Sequence, residues 1–171
     1  MPPKVIFIGP MGSGKSTIGR ALAERMGAEF RDTDVLIEEQ TGRQISQIFI
    51  EDGEDSFRVI EKAVLRAELL SDGAVLALGG GAPISYDAQS ALRAIGVPIV
   101  YLEISLATVA PRVGFNRDRP LLLGNPRAQW QTLMDERRPI YEAIATHKIN
   151  VDGKSEDQLV DEVLTAIGED A

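Results

Sequence analysis

Cysteine is missing from the chain. Disulfides and thiolate metal sites are therefore excluded, and a reducing compartment fits. No uninterrupted apolar run reaches the roughly 18 residues expected of a membrane-spanning helix. The opening Met-Pro-Pro-Lys leads straight into a strand, with no separate signal-peptide pattern, so a cytoplasmic location is expected. Basic residues are in the minority: 18 lysines and arginines face 26 acids, for a formal net charge of -8. That sign disfavours a general binder of nucleic-acid backbones. A small anionic ligand stays compatible with it, provided the bases cluster locally. Histidine occurs once, as His147, and reads as a strand-edge residue rather than a catalyst. Trp130, the single tryptophan, has no aromatic helical neighbour and is given no role.

The 171 residues, 44% hydrophobic and 26% charged, have the balance of an ordinary soluble globular protein. No internal repeat, low-complexity tract or linker divides them, so one domain over 1–171 is expected. Short apolar runs alternate with helix-length amphipathic stretches, which favours an α/β domain with a mainly parallel sheet. Strands are expected at 5–8, 29–31, 74–78 and 98–103, with a short last one marked by Ile149 and Val151. Helices are expected at 16–26, stopped by Gly27, and at 34–40, ending before Gly42. The isoleucines of 45–50 suit a short helix or a strand. At 55–70 the apolar set Phe57, Ile60, Val64, Ala67 and Leu70 has helical spacing. Further helices are expected at 87–95, 106–112, 127–145 (where Pro139 should end or kink it) and 156–167. Residues 114–124, rich in Arg, Asn, Gly and Pro, look like a mobile loop.

The strongest signal is Gly9-Pro10-Met11-Gly12-Ser13-Gly14-Lys15-Ser16-Thr17, which satisfies G-x-x-x-x-G-K-[ST] between an expected strand and an expected helix. A chain wrapped around phosphates must turn tightly and bring backbone N–H groups against oxygen, which Gly12 and Gly14 permit. The helix N-terminus adds fixed positive potential. Lys15 would bridge β- and γ-phosphate oxygens of ATP, and the Ser16 hydroxyl would ligate Mg²⁺.

Asp32-Thr33-Asp34 follows the second strand. As i and i+2 of a strand, both carboxylates would face one site, one supporting Mg²⁺ through water and the other orienting an attacking hydroxyl. The same pair equally suits an exposed turn that caps the next helix. Arg58, three residues before Glu61, either makes a surface ion pair or clamps a substrate carboxylate. Gly79-Gly80-Gly81 gives up packing and conformational entropy, so a tight turn or a close ligand approach must justify it. Arg117, Arg119 and Pro120 fit a closing segment whose arginine stabilises the transferring phosphoryl group, or a solvated loop. Of Arg137 and Arg138, one faces a cleft or both decorate a helix.

Taken in order, G-P-M-G-S-G-K-S-T, D-T-D, F-R-V-I-E, L-G-G-G, R-P-L-L and L-M-D-E-R-R-P-I-Y resemble the bacterial P-loop shikimate kinases over nearly the whole chain. The resemblance implies a three-layer α/β/α fold like that of nucleoside monophosphate kinases, with five parallel strands in the order 2-3-1-4-5. It implies transfer of the ATP γ-phosphoryl to the 3-hydroxyl of shikimate, on the route to aromatic amino acids. Gly12, Ser13, Gly14, Lys15, Ser16 and Thr17 then hold nucleotide, with Ser16 and Asp32 at the metal. Asp34 takes the substrate hydroxyls as the base, and Arg58 and Arg137 bind the carboxylate beside Gly79, Gly80 and Gly81. Arg119 becomes the lid arginine, in a lid at about 113–124; Arg112 stacks on adenine, and Lys154 contributes from the adenine loop. Helices at about 33–62 carry the substrate site. No acid follows the strand at 74–78, so Asp32 serves as the metal-supporting carboxylate. ATP, Mg²⁺ and shikimate are the expected partners of a monomer that binds neither nucleic acid nor membrane. Two competing readings are a related kinase, such as a gluconate kinase, and a nucleotide-binding module without catalysis.

Overall fold

The computed structural model describes residues 2–113 and 125–169. Five parallel strands, β1 (Val5–Ile8), β2 (Phe30–Asp32), β3 (Val75–Ala77), β4 (Ile99–Glu103) and β5 (His147–Asn150), form one sheet in the order β2-β3-β1-β4-β5. Val5 lies opposite Val75 and Ile6 opposite Ile99, so β1 is central. All four of its residues are fully buried, as befits a strand covered on both faces. The eight helices among the described residues are α1 (Lys15–Met26), α2 (Thr33–Thr41), α3 (Ile45–Asp52), α4 (Glu54–Glu68), α5 (Tyr86–Ala94), α6 (Leu106–Val113), α7 (Pro126–Ile144) and α8 (Glu156–Ile167). Contacts join α1 to α8 and α5 to α7. Right-handed crossovers running in opposite directions place these two pairs on opposite faces of the sheet.

Helix ends follow local chemistry. Gly27 and Gly42 close α1 and α2 in the left-handed conformation, and Ser155 with Gln158 forms a capping box on α8. The uncertain segment at 45–50 is helical, as α3. A second small core, built from Ile37, Ile48, Phe57 and Val64, lies among α2, α3 and α4, apart from the core of the sheet. It gives these helices packing of their own. At about 1.5–3 kcal/mol per buried side chain, it holds α2, α3 and α4 as a unit. Arg31 ties β2 to the end of α4 through a two-pronged pair with the buried Glu68.

Four expectations need correction. The second strand is shifted by one residue, so Asp32 ends β2 while Asp34 lies in the first turn of α2. The two carboxylates therefore meet across a strand-to-helix corner, and strand alternation plays no part. The buried stripe of α4 is Phe57, Glu61, Val64, Leu65 and Glu68; Leu70 is 81% exposed and Ala67 also faces solvent. Periodicity counted only apolar residues and so passed over two acids buried by ion pairs with arginine. Helix α7 runs through Pro139, so the proline does not end it. Pro139 and Asp135, whose carbonyl loses its donor, are both exposed, so the freed group is open to solvent. Val151 lies just beyond β5, although it is buried and donates to the Glu103 carbonyl at 2.9 Å.

Candidate active site

The carboxyl ends of β1, β3 and β2 are neighbours in the sheet and deliver three chain segments to one edge. From β1 comes the glycine loop, in which Gly9, Gly12 and Gly14 take φ of 146°, 84° and 97°. A side chain is strained at such angles, which explains the glycines. Gly14 caps α1, and Lys15 is the first helical residue. The Lys15 ammonium donates to the Gly9 and Pro10 carbonyls at 2.7 and 2.9 Å, folded across its own loop. Beside it lies a cavity of about 220 Å³, lined by Gly12, Gly14, Lys15, Ser16 and Thr17 on one side and by Asp32 and Asp34 on the other. Ser13 is buried in the loop.

From β2 comes Asp32, which both caps a helix and lines this cavity. Its Oδ1 accepts the Asp34 N–H at 2.9 Å and so caps α2. Its Oδ2 accepts the Ser16 hydroxyl at 2.5 Å. A hydroxyl and a carboxylate side by side at the cavity beside the glycine loop are a donor set suited to Mg²⁺. That ion takes one or two protein oxygens, keeps water, and binds phosphate for the rest. Asp34 lies a helical step further in, at the border of this cavity and a second one. Burial, then Asp32 and Glu61, push its carboxyl up to about 6, against the pull of Lys15.

From β3 comes Gly79-Gly80-Gly81. None of the three has a left-handed φ, so backbone freedom is not what requires them. Each leaves room for a different side chain. A Cβ on Gly79 would strike the Asp34 carboxylate, one on Gly81 would strike the Arg58 guanidinium, and one on Gly80 would sit 3.3 Å from Arg137 Nη1. The triplet also makes a turn, with Ala82 N–H donating to the Gly79 carbonyl at 3.0 Å. These groups line the second cavity, of about 330 Å³, whose apolar wall is Ile45, Phe49 and Phe57. Arg58 stacks on Phe57 with 5.2 Å to the ring centroid and donates to Glu61 at 2.8 Å. The intrahelical ion pair and the cavity-lining position hold together. Glu61 is buried. Burial pushes its carboxyl up, while Arg58 and Arg137 act to lower it.

Helix α7 supplies Arg137 and two residues that sequence reasoning passed over. Trp130, Met134, Arg137, Tyr141 and Ile144 are its buried face, at alternating steps of four and three. That stripe selects Arg137 over Arg138, which is exposed on Asp135 at 3.3 Å. It was the available signal for Trp130, whose Nε1 donates to the Met11 carbonyl at 3.2 Å, and for Tyr141, whose hydroxyl donates to the Gly80 carbonyl at 2.6 Å. Arg112, on α6, donates to the Gly12 carbonyl at 3.0 Å, at the rim of the glycine loop. The Lys154 ammonium lies on Glu162 of α8, at 2.9 Å. Arg117, Arg119, Pro120 and residues 114–124 of the expected lid lie outside the described residues.

Known proteins resemble this chain over nearly its whole length. The family model described as shikimate kinase matches residues 11–168. A shikimate kinase of Salinispora arenicola is 47% identical over 163 residues, covering 95% of this chain and 96% of that protein. The solved shikimate kinase from Acinetobacter baumannii in complex with shikimate superposes with a TM-score of 0.92 at 35% identity, covering 98% of this chain and 93% of the other. A gluconokinase from Sinorhizobium meliloti, at TM-score 0.64 and 21% identity over 98% of this chain and 92% of its own, shares the fold. The chain belongs to the shikimate kinase family.

Proposed function

We propose that this chain transfers the γ-phosphoryl of ATP to the 3-hydroxyl of shikimate, giving ADP and shikimate 3-phosphate for aromatic amino acid synthesis. The observation that carries the proposal is the pairing of each glycine of Gly79-Gly80-Gly81 with one side chain suited to an acceptor that bears both hydroxyls and a carboxylate: Asp34, Arg137 and Arg58. Two guanidiniums over a 330 Å³ cavity fit a carboxylate by directed, charge-assisted hydrogen bonds. Their positive field also explains how a chain of charge -8 attracts an anion.

In this reading Lys15 exchanges loop carbonyls for β- and γ-phosphate oxygens, while the glycine-loop amides and the start of α1 hold the phosphates. Arg58 and Arg137 anchor the acceptor carboxylate, and Glu61 keeps the guanidiniums aimed. Asp34, ionised above about pH 6, accepts a hydrogen bond from the attacking hydroxyl. As the hydroxyl oxygen bonds to the γ-phosphorus, the bond to the bridging oxygen of ADP breaks. The hydroxyl proton passes to Asp34 and then to solvent. Such a loose transfer asks mainly for placement, so Asp34 acts more by orientation than by basicity. Ser16 and Asp32 would hold Mg²⁺, which when bound neutralises charge on the phosphate oxygens. Arg119 is assigned to the closing lid, Arg112 and Lys154 to the adenine side, by family resemblance. A cytoplasmic monomer folded as a single kinase domain, with a lid near residues 113–124, belongs to the same proposal; among the described residues no helix is long and apolar enough to cross a membrane.

A coupled ADP-release assay with shikimate, gluconate or no acceptor tests the reading. ADP release that depends on shikimate supports it; release on gluconate alone, or none despite tight ATP binding, refutes it.

A further inference from the structure

The phosphate and acceptor cavities share three residues, Met11, Asp34 and Gly80. Phosphoryl transfer needs the γ-phosphorus and the acceptor oxygen aligned across that border, and an error of about 1 Å is costly. Two of the three, Met11 and Gly80, have their carbonyl oxygen held by a buried side chain of the same helix. Trp130 Nε1 donates to Met11 and the Tyr141 hydroxyl donates to Gly80. Trp130 is 3% exposed and Tyr141 is fully buried, its ring 5.3 Å from that of Tyr101. The two donors stand eleven residues apart, three helical turns along one face of α7. Between them on that face is Arg137, already placed over Gly80. Burial pushes the Tyr141 phenol up, and the positive charge of the nearby Arg137 opposes that rise. The Tyr141 hydroxyl thus holds the very glycine against which the Arg137 guanidinium packs.

We infer that Trp130 and Tyr141 are positioning residues, which set the offset between bound nucleotide and acceptor by holding the Met11 and Gly80 carbonyls from a single rigid helix. The inference rests on the shikimate kinase reading of the site. Neither side chain lines either cavity among the described residues. Their action runs through the loop, the turn and Arg137. A purely structural role predicts something different: lower stability and a smaller active fraction, with both KM values intact.

The test is steady-state kinetics of Tyr141→Phe and Trp130→Phe, with melting temperature as a control. Phenylalanine keeps an aromatic ring in place and removes the donor. Tyr141→Phe is expected to raise the shikimate KM and lower kcat, with kcat/KM for shikimate falling about tenfold or more, the usual effect of stranding a buried acceptor. Its ATP KM should stay within twofold. Trp130→Phe is expected to raise the ATP KM several-fold and leave the shikimate KM within twofold. Because Trp130 is the sole tryptophan, its emission in the wild-type chain should also shift on titration with ATP. That arm decides the matter if a variant fails to fold. Unchanged kinetic constants in both variants, losses that only track the unfolded fraction, or wild-type emission indifferent to ATP would overturn the inference. A wild-type chain that does not phosphorylate shikimate overturns the functional reading and this inference together; an active wild type with unaffected variants overturns this inference alone.

Discussion

Replacing Asp34 by asparagine should separate the stability of this fold from its activity. The Asp34 carboxyl titrates near 6 in the folded chain against an ordinary 3.8, because burial and the neighbouring Asp32 and Glu61 disfavour its charge. The native state therefore binds this proton more tightly than the unfolded chain does. The stability this provides is fully present below about pH 3.8 and is lost as pH rises through about 6. The gap corresponds to at most about 3 kcal/mol; partial exposure and screening reduce it to about 1–2 kcal/mol. Asparagine has nearly the same shape and carries no charge, and its amide can donate to the surrounding acids. Asp34→Asn should then melt roughly 2–8 °C above wild type at pH 8, at about 2–4 °C per kcal/mol for a domain of this size. The advantage should vanish near pH 4, where the wild-type carboxyl is protonated. Over the same interval kcat should fall about a hundredfold or more, from loss of the group that orients and deprotonates the acceptor. Wild-type kcat/KM should rise with pH through about 6 as the carboxylate forms. Differential scanning calorimetry at pH 4 and pH 8, paired with ADP release, reads both quantities. An Asp34→Asn chain no more stable than wild type at pH 8, or stabilised equally at both pH values, would refute the reasoning.

Arg58→Ala should weaken shikimate binding by roughly 2–5 kcal/mol, the range for removing one partner of a desolvated charge pair, with ATP affinity barely changed; an unaltered shikimate KM would remove Arg58 from the site. Gly81→Ala should displace the flexible Arg58 guanidinium and leave the fold intact, so the melting temperature should move little while the shikimate KM rises about tenfold, within the roughly 1–3 kcal/mol of overpacking. A loss confined to stability would show that the glycine serves only the turn. Chelation of Mg²⁺ should abolish turnover and leave the melting temperature of the nucleotide-free chain unchanged, since the ion arrives with phosphate; activity that survives chelation would count against Ser16 and Asp32 as metal ligands.

Much of this was readable beforehand, for definite reasons. The glycine loop announces itself because phosphate binding demands residue types at fixed spacing, and fully apolar β1 and β3 leave little choice of fold. Side chains that act through tertiary contact were harder. Glu61 and Glu68 lie on the buried face of α4, and only their arginine partners explain why acids belong there. The need for Gly79-Gly80-Gly81 was legible as room for something, yet what fills it comes from three distant segments. Trp130 looked idle because its neighbours along the helix are not aromatic, whereas its partner is a carbonyl 119 residues away. The pairing of Asp32 with Asp34 was expected from strand alternation and arises instead from a strand-to-helix corner.

The central claim is that an alcohol held beside Asp34 by two arginines receives a terminal phosphate presented at Lys15. Phosphorus NMR of a reaction with ATP, Mg²⁺ and shikimate tests it most directly. The account predicts loss of the γ-phosphate signal matched by a single new phosphomonoester coupled to the ring proton at C3, with none formed by Asp34→Asn over the same interval. Consumption of ATP to inorganic phosphate with no shikimate ester, or an ester at another hydroxyl, would contradict it.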